Sequence, residues 1–251
     1  MTRPENMQSL IHVSYDMGGK MKNIPSVSTS CKNNPFCAAR YGDGMSKKDF
    51  MASIERGEHP LICKRCFAMM ALSYKLGLIK NLNENSDVLA NRLLDTEELF
   101  KLAFELTEAS ELNNSPLLRL ESFGDIANET QATNYIKLSF AVTVLSGGNI
   151  RIAWWTKNWR ILVNAWRETD EVIRKHLRES LNIVLSSPHI GIEVSEEDVR
   201  WVESELGMPV TVFTVDGKES ERTNCGARDC FGCQRCYTKK AETEYVYEVV
   251  K

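Results

Sequence analysis

Eight cysteines in two groups of four constrain this 251-residue chain more than any other feature. Four lie between Cys31 and Cys66, four lie between Cys225 and Cys236, and the stretch from Phe67 to Asn224 contains none. Where thiols are kept reduced, cysteines grouped this way read as metal ligands before disulfides. The C-terminal group runs Cys225-x4-Cys230-x2-Cys233-x2-Cys236. A Cys-x2-Cys-x2-Cys run wraps closely around a compact inorganic cluster, whereas four-thiolate zinc sites more often use two separated Cys-x2-Cys knuckles. The spacing favours a 4Fe-4S cluster, with zinc as the alternative. The N-terminal group is Cys31-x5-Cys37 followed, after 25 residues, by Cys63-x2-Cys66. It offers four thiolates to zinc or to a second cluster. His59 sits four residues before Cys63 and reads as a loop residue rather than a ligand.

The rest of the composition is ordinary for a folded chain. Hydrophobic residues make up 43% and charged residues 26%, which excludes disorder as the main theme. The formal net charge of -3 does not announce a nucleic-acid partner. Lys32, Arg40, Lys47, Lys48, Lys64 and Arg65 collect near one cysteine group, and Arg222, Arg228, Arg235, Lys239 and Lys240 near the other. Those cations read first as compensation for thiolate charge and second as a phosphate-binding face. No run of about 18 apolar residues occurs, and the first ten residues lack the apolar core of a signal peptide. The expected location is the cytoplasm, with no membrane partner.

Along the chain, residues up to Lys22 show little pattern. Ile24–Ser30 reads as a short strand running into Cys31, Lys47–Arg56 as a helix, and Phe67–Leu76 as a helix closed by Gly77. Glu97–Glu108 carries an apolar stripe at Leu99, Leu102, Ala103 and Leu106, with Asp95 or Thr96 as its cap. Strands are then expected at Pro116–Phe123, Asn149–Thr156, Asn182–Ser186 and Val210–Val215. Helices are expected at Glu129–Leu145, Trp159–Ala165, Thr169–Ser180 and Glu196–Leu206. This alternation belongs to a parallel sheet, and five strands are too few for a closed eight-stranded barrel. The expected fold class is α/β: a partial βα barrel or open parallel sheet with two Cys-rich metal-binding segments. The chain divides into an N-terminal extension (1–22), a barrel-like domain (23–220) and a C-terminal cysteine segment (221–251).

In parallel α/β folds, ligands bind beyond the carboxyl ends of the strands. Gly124 and Asp125 end one expected strand, and Thr156 and Lys157 end the next. Asp125 and Lys157 are the candidate catalytic residues; Gly124, Asp125 and Thr156 are the candidate cofactor-binding residues. Asp125 is equally readable as a helix cap. His189 reads as a turn residue, and Trp154 and Trp155, adjacent on one strand, read as core.

Several short motifs resemble a phage family, the gene product 88 proteins. They are Cys63-Lys64-Arg65-Cys66-Phe67-Ala68, the Arg119-x4-Gly124-Asp125 strand end, Trp155-Thr156-Lys157 and the C-terminal cysteines. The layout also resembles the radical SAM (S-adenosylmethionine) superfamily, which has cluster cysteines after the first strand of a partial barrel. That resemblance implies that Gly124-Asp125 stands for the Gly-Glu element holding the methionine amine, and Thr156-Lys157 for the Thr-Asn element. The chain departs from that superfamily in lacking its Cys-x3-Cys-x2-Cys run. A fainter resemblance, to tRNA-guanine transglycosylases, rests on Asp125 as a strand-end catalytic aspartate. The expectations are therefore an iron–sulfur, radical SAM-like enzyme of phage or mobile-element origin, acting on a small-molecule or nucleic-acid substrate. The alternatives are a base-modifying transglycosylase-like enzyme with structural metal and a metal-stabilised nucleic-acid-binding protein.

Overall fold

Strand pairing in this chain follows strand order without exception. The structure, a computed structural model, describes residues 9–16, 18–30, 76–226 and 228–249. Cys31, Cys37, Cys63 and Cys66, and the helix expected over Lys47–Arg56, lie outside the described residues. The strands are β1 (Val13–Ser14), β2 (Ser26–Val27), β3 (Leu117–Leu120), β4 (Arg151–Thr156), β5 (Leu181–Ser186), β6 (Thr211–Asp216) and β7 (Glu244–Val249). They form one sheet in the order β1-β2-β3-β4-β5-β6-β7. β1 pairs antiparallel with β2, and every later pair is parallel. The helices are α1 (Leu76–Asn91), α2 (Thr96–Leu112), α3 (Glu129–Leu145), α4 (Trp159–Arg167), α5 (Glu171–Ser180), α6 (Glu196–Leu206) and the single turn α7 (Cys230–Cys233). Short 3-10 turns lie at Gly19–Met21 and Arg235–Tyr237.

A doubly wound sheet reverses strand order at a switch point; this one never reverses. Parallel crossovers share one hand, so helices added in unbroken order stack on one face. The burial pattern agrees. Leu118, Leu120, Ile152, Trp154, Ile183 and Val212 point into a core shared with Leu89 of α1, Leu102 of α2, Tyr135 of α3, Trp166 of α4, Leu177 of α5 and Val202 of α6. The alternate residues Leu117, Ala153, Trp155 and Val184 point to the second face. There Tyr237, Cys230, Phe231 and Cys236 of the C-terminal cysteine segment cover them. Trp154 and Trp155 are both buried, as expected, but in different cores.

Local chemistry explains the element ends. Asp95 and Glu98 form a capping box on α2: the Glu98 N–H donates to Asp95 Oδ1 (2.9 Å) and the Asp95 N–H to Glu98 Oε2 (3.0 Å). Asn128 caps α3 and Ser195 caps α6, which ends at Gly207 in the left-handed region. Gly77 lies inside α1 and stops nothing; without a positive φ it is merely a weak helix former. Val13–Ser14, in a stretch expected to be patternless, pairs with Val27 and Ser26. Glu244–Val249, expected only as the end of the cysteine segment, is the edge strand beside β6. No helix of the described residues is long and apolar enough to cross a membrane.

Candidate functional site

Two polar constructions stand out against the apolar layers. The first lies at the ends of β2, β3 and β4. The chain leaves β3 at Glu121, whose φ of 57° turns it sharply, and reaches Gly124 with φ 71°. Gly124 has no alternative: a Cβ there would sit 2.8 Å from the Thr29 carbonyl carbon, inside van der Waals contact. The close approach brings the loop after β3 onto the end of β2.

Asp125 then ties β3 to β4. Its Oδ1 accepts from the Thr156 hydroxyl (2.7 Å) and from the Ile126 N–H (2.8 Å), and its Oδ2 accepts from the Lys157 N–H (2.7 Å). Asn158 returns a bond from its amide to the Ile126 carbonyl (2.8 Å). Gly124, Asp125, Thr156 and Lys157 are thus brought together at neighbouring strand ends, and both oxygens of Asp125 are engaged there. Lys157 meets Asp125 through its backbone, while its ammonium acts through space. Burial pushes the Asp125 carboxyl up, and Lys157 and Thr156 act against that. Asp125 does not cap α3; Asn128 does. His189 is half-buried in a turn, where its N–H meets the Ser187 hydroxyl (3.2 Å).

Glu121 is the residue that sequence reasoning missed. It is 3% exposed, and four donors surround it. Oε1 accepts from the Thr29 hydroxyl (2.7 Å), the Gln131 amide (2.8 Å) and the Tyr135 hydroxyl (2.7 Å), while Oε2 accepts from the Thr29 N–H (3.1 Å). Burial nevertheless pushes its carboxyl up to about 8, with the Thr29 and Tyr135 bonds pulling the other way. The signal was a lone carboxylate at an otherwise apolar strand end, followed by Gln131 and Tyr135 one helical turn apart on α3. Glu121 fixes Thr29, and Ser86 accepts the N–H of Ser30 (2.8 Å), so the chain enters Cys31 from an anchored point.

The second construction is the C-terminal cysteine segment on the helix-free face. Asn182 at the start of β5 donates to the Cys236 carbonyl (2.6 Å), and Arg151 at the start of β4 donates to Gln234 (2.5 Å). Asp229 caps the Cys230–Cys233 turn, and the Cys225 N–H donates to the Tyr247 carbonyl of β7 (2.9 Å). All four thiols are free; Cys233 is exposed and the others are half-buried. Burial pushes the thiols of Cys225, Cys230 and Cys236 up, and neighbouring thiols of the group add to it. Lys20 opposes this at Cys225 and Cys230, and Arg119 at Cys230 and Cys236. Among the described residues, no three His, Cys, Asp or Glu groups are gathered closely enough to hold an ion. The fit to a metal therefore lies in the donor chemistry. Four soft thiols share one neighbourhood, and the cations Lys20 and Arg119 favour the thiolate forms of Cys225, Cys230 and Cys236 that a metal needs.

The basic residues beside this segment are largely engaged within the fold. Arg222 grips Asp216 at the end of β6 (2.9 and 2.5 Å) and reaches Glu193 (2.8 Å). Arg235 and Lys240 pair with Glu244, and Lys239 donates to the Arg178 carbonyl. Comparison with known proteins gives no match of the chain to a family model, a curated protein or a solved structure.

Proposed function

We propose that the chain is an iron–sulfur protein on a partial βα barrel, with radical SAM-like chemistry as its reaction class. The observation that carries this reading is the place in the topology of β2, whose described continuation to Ser30 immediately precedes Cys31 in the sequence. β2 is the first of six parallel strands in unbroken order, and the first cysteine group begins four residues after it ends, at the carboxyl end where such sheets bind ligands. The next two strands end in Gly124-Asp125 and Thr156-Lys157, tied to each other through Asp125. Cys31, Cys37, Cys63 and Cys66 are the proposed ligands of one site; Cys225, Cys230, Cys233 and Cys236 are those of the other. A 4Fe-4S cluster supplies electron transfer when bound, and an iron left with an open position supplies a place for SAM.

The chain's own residues prepare that end of the sheet. Glu121 and Ser86 fix the segment feeding Cys31, Gly124 lets two loops touch, and Asp125 holds the β3 and β4 ends in register. Asp125 is a positioning residue in this reading, and the Lys157 ammonium, which acts on it through space, is the cation offered to an anionic ligand. Arg222, Arg235 and Lys240 are paired with carboxylates and Lys239 with a carbonyl, which counts against a nucleic-acid face built on these cations.

Anaerobic preparation of the full chain tests the proposal. A brown protein containing iron and acid-labile sulfide, yielding 5′-deoxyadenosine when reduced with SAM, is the expected result. A colourless protein with stoichiometric zinc overturns the iron–sulfur assignment. Iron and sulfide without 5′-deoxyadenosine overturn the radical SAM assignment and retain the cluster.

A further inference from the structure

The strand Leu117-Leu118-Arg119-Leu120 places a guanidinium among the apolar residues of the helix-free face, where Arg151 and Asn182 already bond to the cysteine segment. Arg119 stacks on Trp155, its guanidinium carbon 3.7 Å from the ring centroid. Phe213 and Tyr237 lie around the same ring at 6.4 and 5.8 Å. A cation placed there is costly unless something negative pairs with it. Yet no carboxylate of the described residues does so. Among the described residues its Nη1 meets the weak acceptor Met21 Sδ (3.0 Å), its Nε is buried with no acceptor, and the neutral Tyr237 phenol is its other polar neighbour. What does share this face is thiol: Cys230 and Cys236 pack on the cluster that contains Trp155.

We propose that Arg119 is the counter-cation of the C-terminal four-cysteine site, offsetting the negative charge that four thiolates around a metal bring to the helix-free face. The proposal rests on the reading that these thiols bind metal. A divalent ion among four thiolates leaves net negative charge, and such charge against an apolar face requires a neighbouring cation. Lys20 is the other cation of the site, with Nζ 3.9 Å from Cys225 Sγ. Lys20 is already paired with Glu248 at 2.5 Å, so its charge is largely spent. Arg119 has no carboxylate partner among the described residues, and it is the cation whose charge acts on both Cys230 and Cys236. Zinc loading needs no oxidant or reductant, since each thiol gives its proton to solvent as its sulfur takes the metal.

The test uses zinc and the full chain, titrated against a competing chelator. Cys233→Ser identifies which zinc belongs to the C-terminal site. Arg119→Met keeps an apolar stem over Trp155 and removes the charge; Arg119→Lys keeps the charge. The expected result is a loss of roughly 10- to 100-fold in zinc affinity at the C-terminal site for Arg119→Met, with recovery in Arg119→Lys and no change at the other site. Equal affinity in wild type and Arg119→Met overturns the proposal. So does a parallel loss at both sites with a lowered melting temperature, which would make Arg119 merely structural. If Cys233→Ser holds as much zinc as wild type, the underlying metal reading fails instead.

Discussion

Replacing Glu121 with Gln asks whether burial or hydrogen bonding controls a fully enclosed carboxyl at the strand ends. Burial moves this group from 4.5 to about 8, against the pull of its hydrogen-bond donors. A carboxyl raised in the folded state keeps a proton that the unfolded chain has already lost. Its contribution is therefore complete below pH 4.5 and disappears as pH rises through about 8. Each pH unit across that window is worth about 1.4 kcal/mol, so the whole window is worth about 5 kcal/mol at most. Gln matches the protonated acid in shape and cannot ionise. Near pH 5 Glu121→Gln should be the less stable by about 1–3 kcal/mol, because its amide would face either the Thr29 N–H or the three donors at Oε1, and it should gain on wild type by several kcal/mol towards pH 9. Denaturant unfolding at a series of pH values reads this directly, as a difference of one proton between the two stability slopes. Parallel slopes would show that Glu121 does not change its proton on folding. A wild type that gains on the variant as pH rises would show that the four donors outweigh burial and hold Glu121 as a carboxylate.

Gly124→Ala should destabilise the fold by about 3 kcal/mol or more, because a positive φ and a backbone clash with Thr29 coincide at one position; thermal unfolding measures it. Asp125→Asn should cost about 1–3 kcal/mol in the same assay, since its amide would face either the Lys157 N–H or the Thr156 and Ile126 donors. An unchanged or raised stability would instead mark Asp125 as a residue kept for chemistry at the expense of the fold.

The elements legible in the sequence were those whose signals are local. The Asp95 cap and apolar stripe of α2, the Glu196–Leu206 span of α6 and the apolar cores of β3 to β6 all reside in adjacent residues. The elements that escaped depend on partners far along the chain. β7 reads Glu-Tyr-Val-Tyr-Glu-Val, with only Val246 fully buried, and gains strand identity from β6 rather than from its own apolar content. β2 is shorter than the expected Ile24–Ser30 because Ser28 turns to side-chain bonding: its hydroxyl accepts the N–H groups of Ser122 (3.0 Å) and Phe123 (3.3 Å). β3 stops before the expected Phe123 because Glu121 takes a left-handed φ.

The same distinction governs the site. Gly124, Asp125 and Thr156 were legible because turn residues at strand ends are written in short runs. Glu121 and Arg119 were not, although both lie within the Arg119-to-Asp125 stretch, because what singles them out is the environment the fold gives them. Each is a charged side chain on a strand of leucines, and alternation along β3 sends Arg119 to the helix-free face while the turn at Glu121 sends its carboxyl beneath Tyr135 and Thr29. One strand thereby connects both constructions: its middle faces the C-terminal thiols, and its end anchors the segment that leads to Cys31. A change in β3 register of one residue would move Arg119 off Trp155 and carry the Glu121 turn away from Thr29 at once, so both polar constructions depend on the pairing of a single short strand.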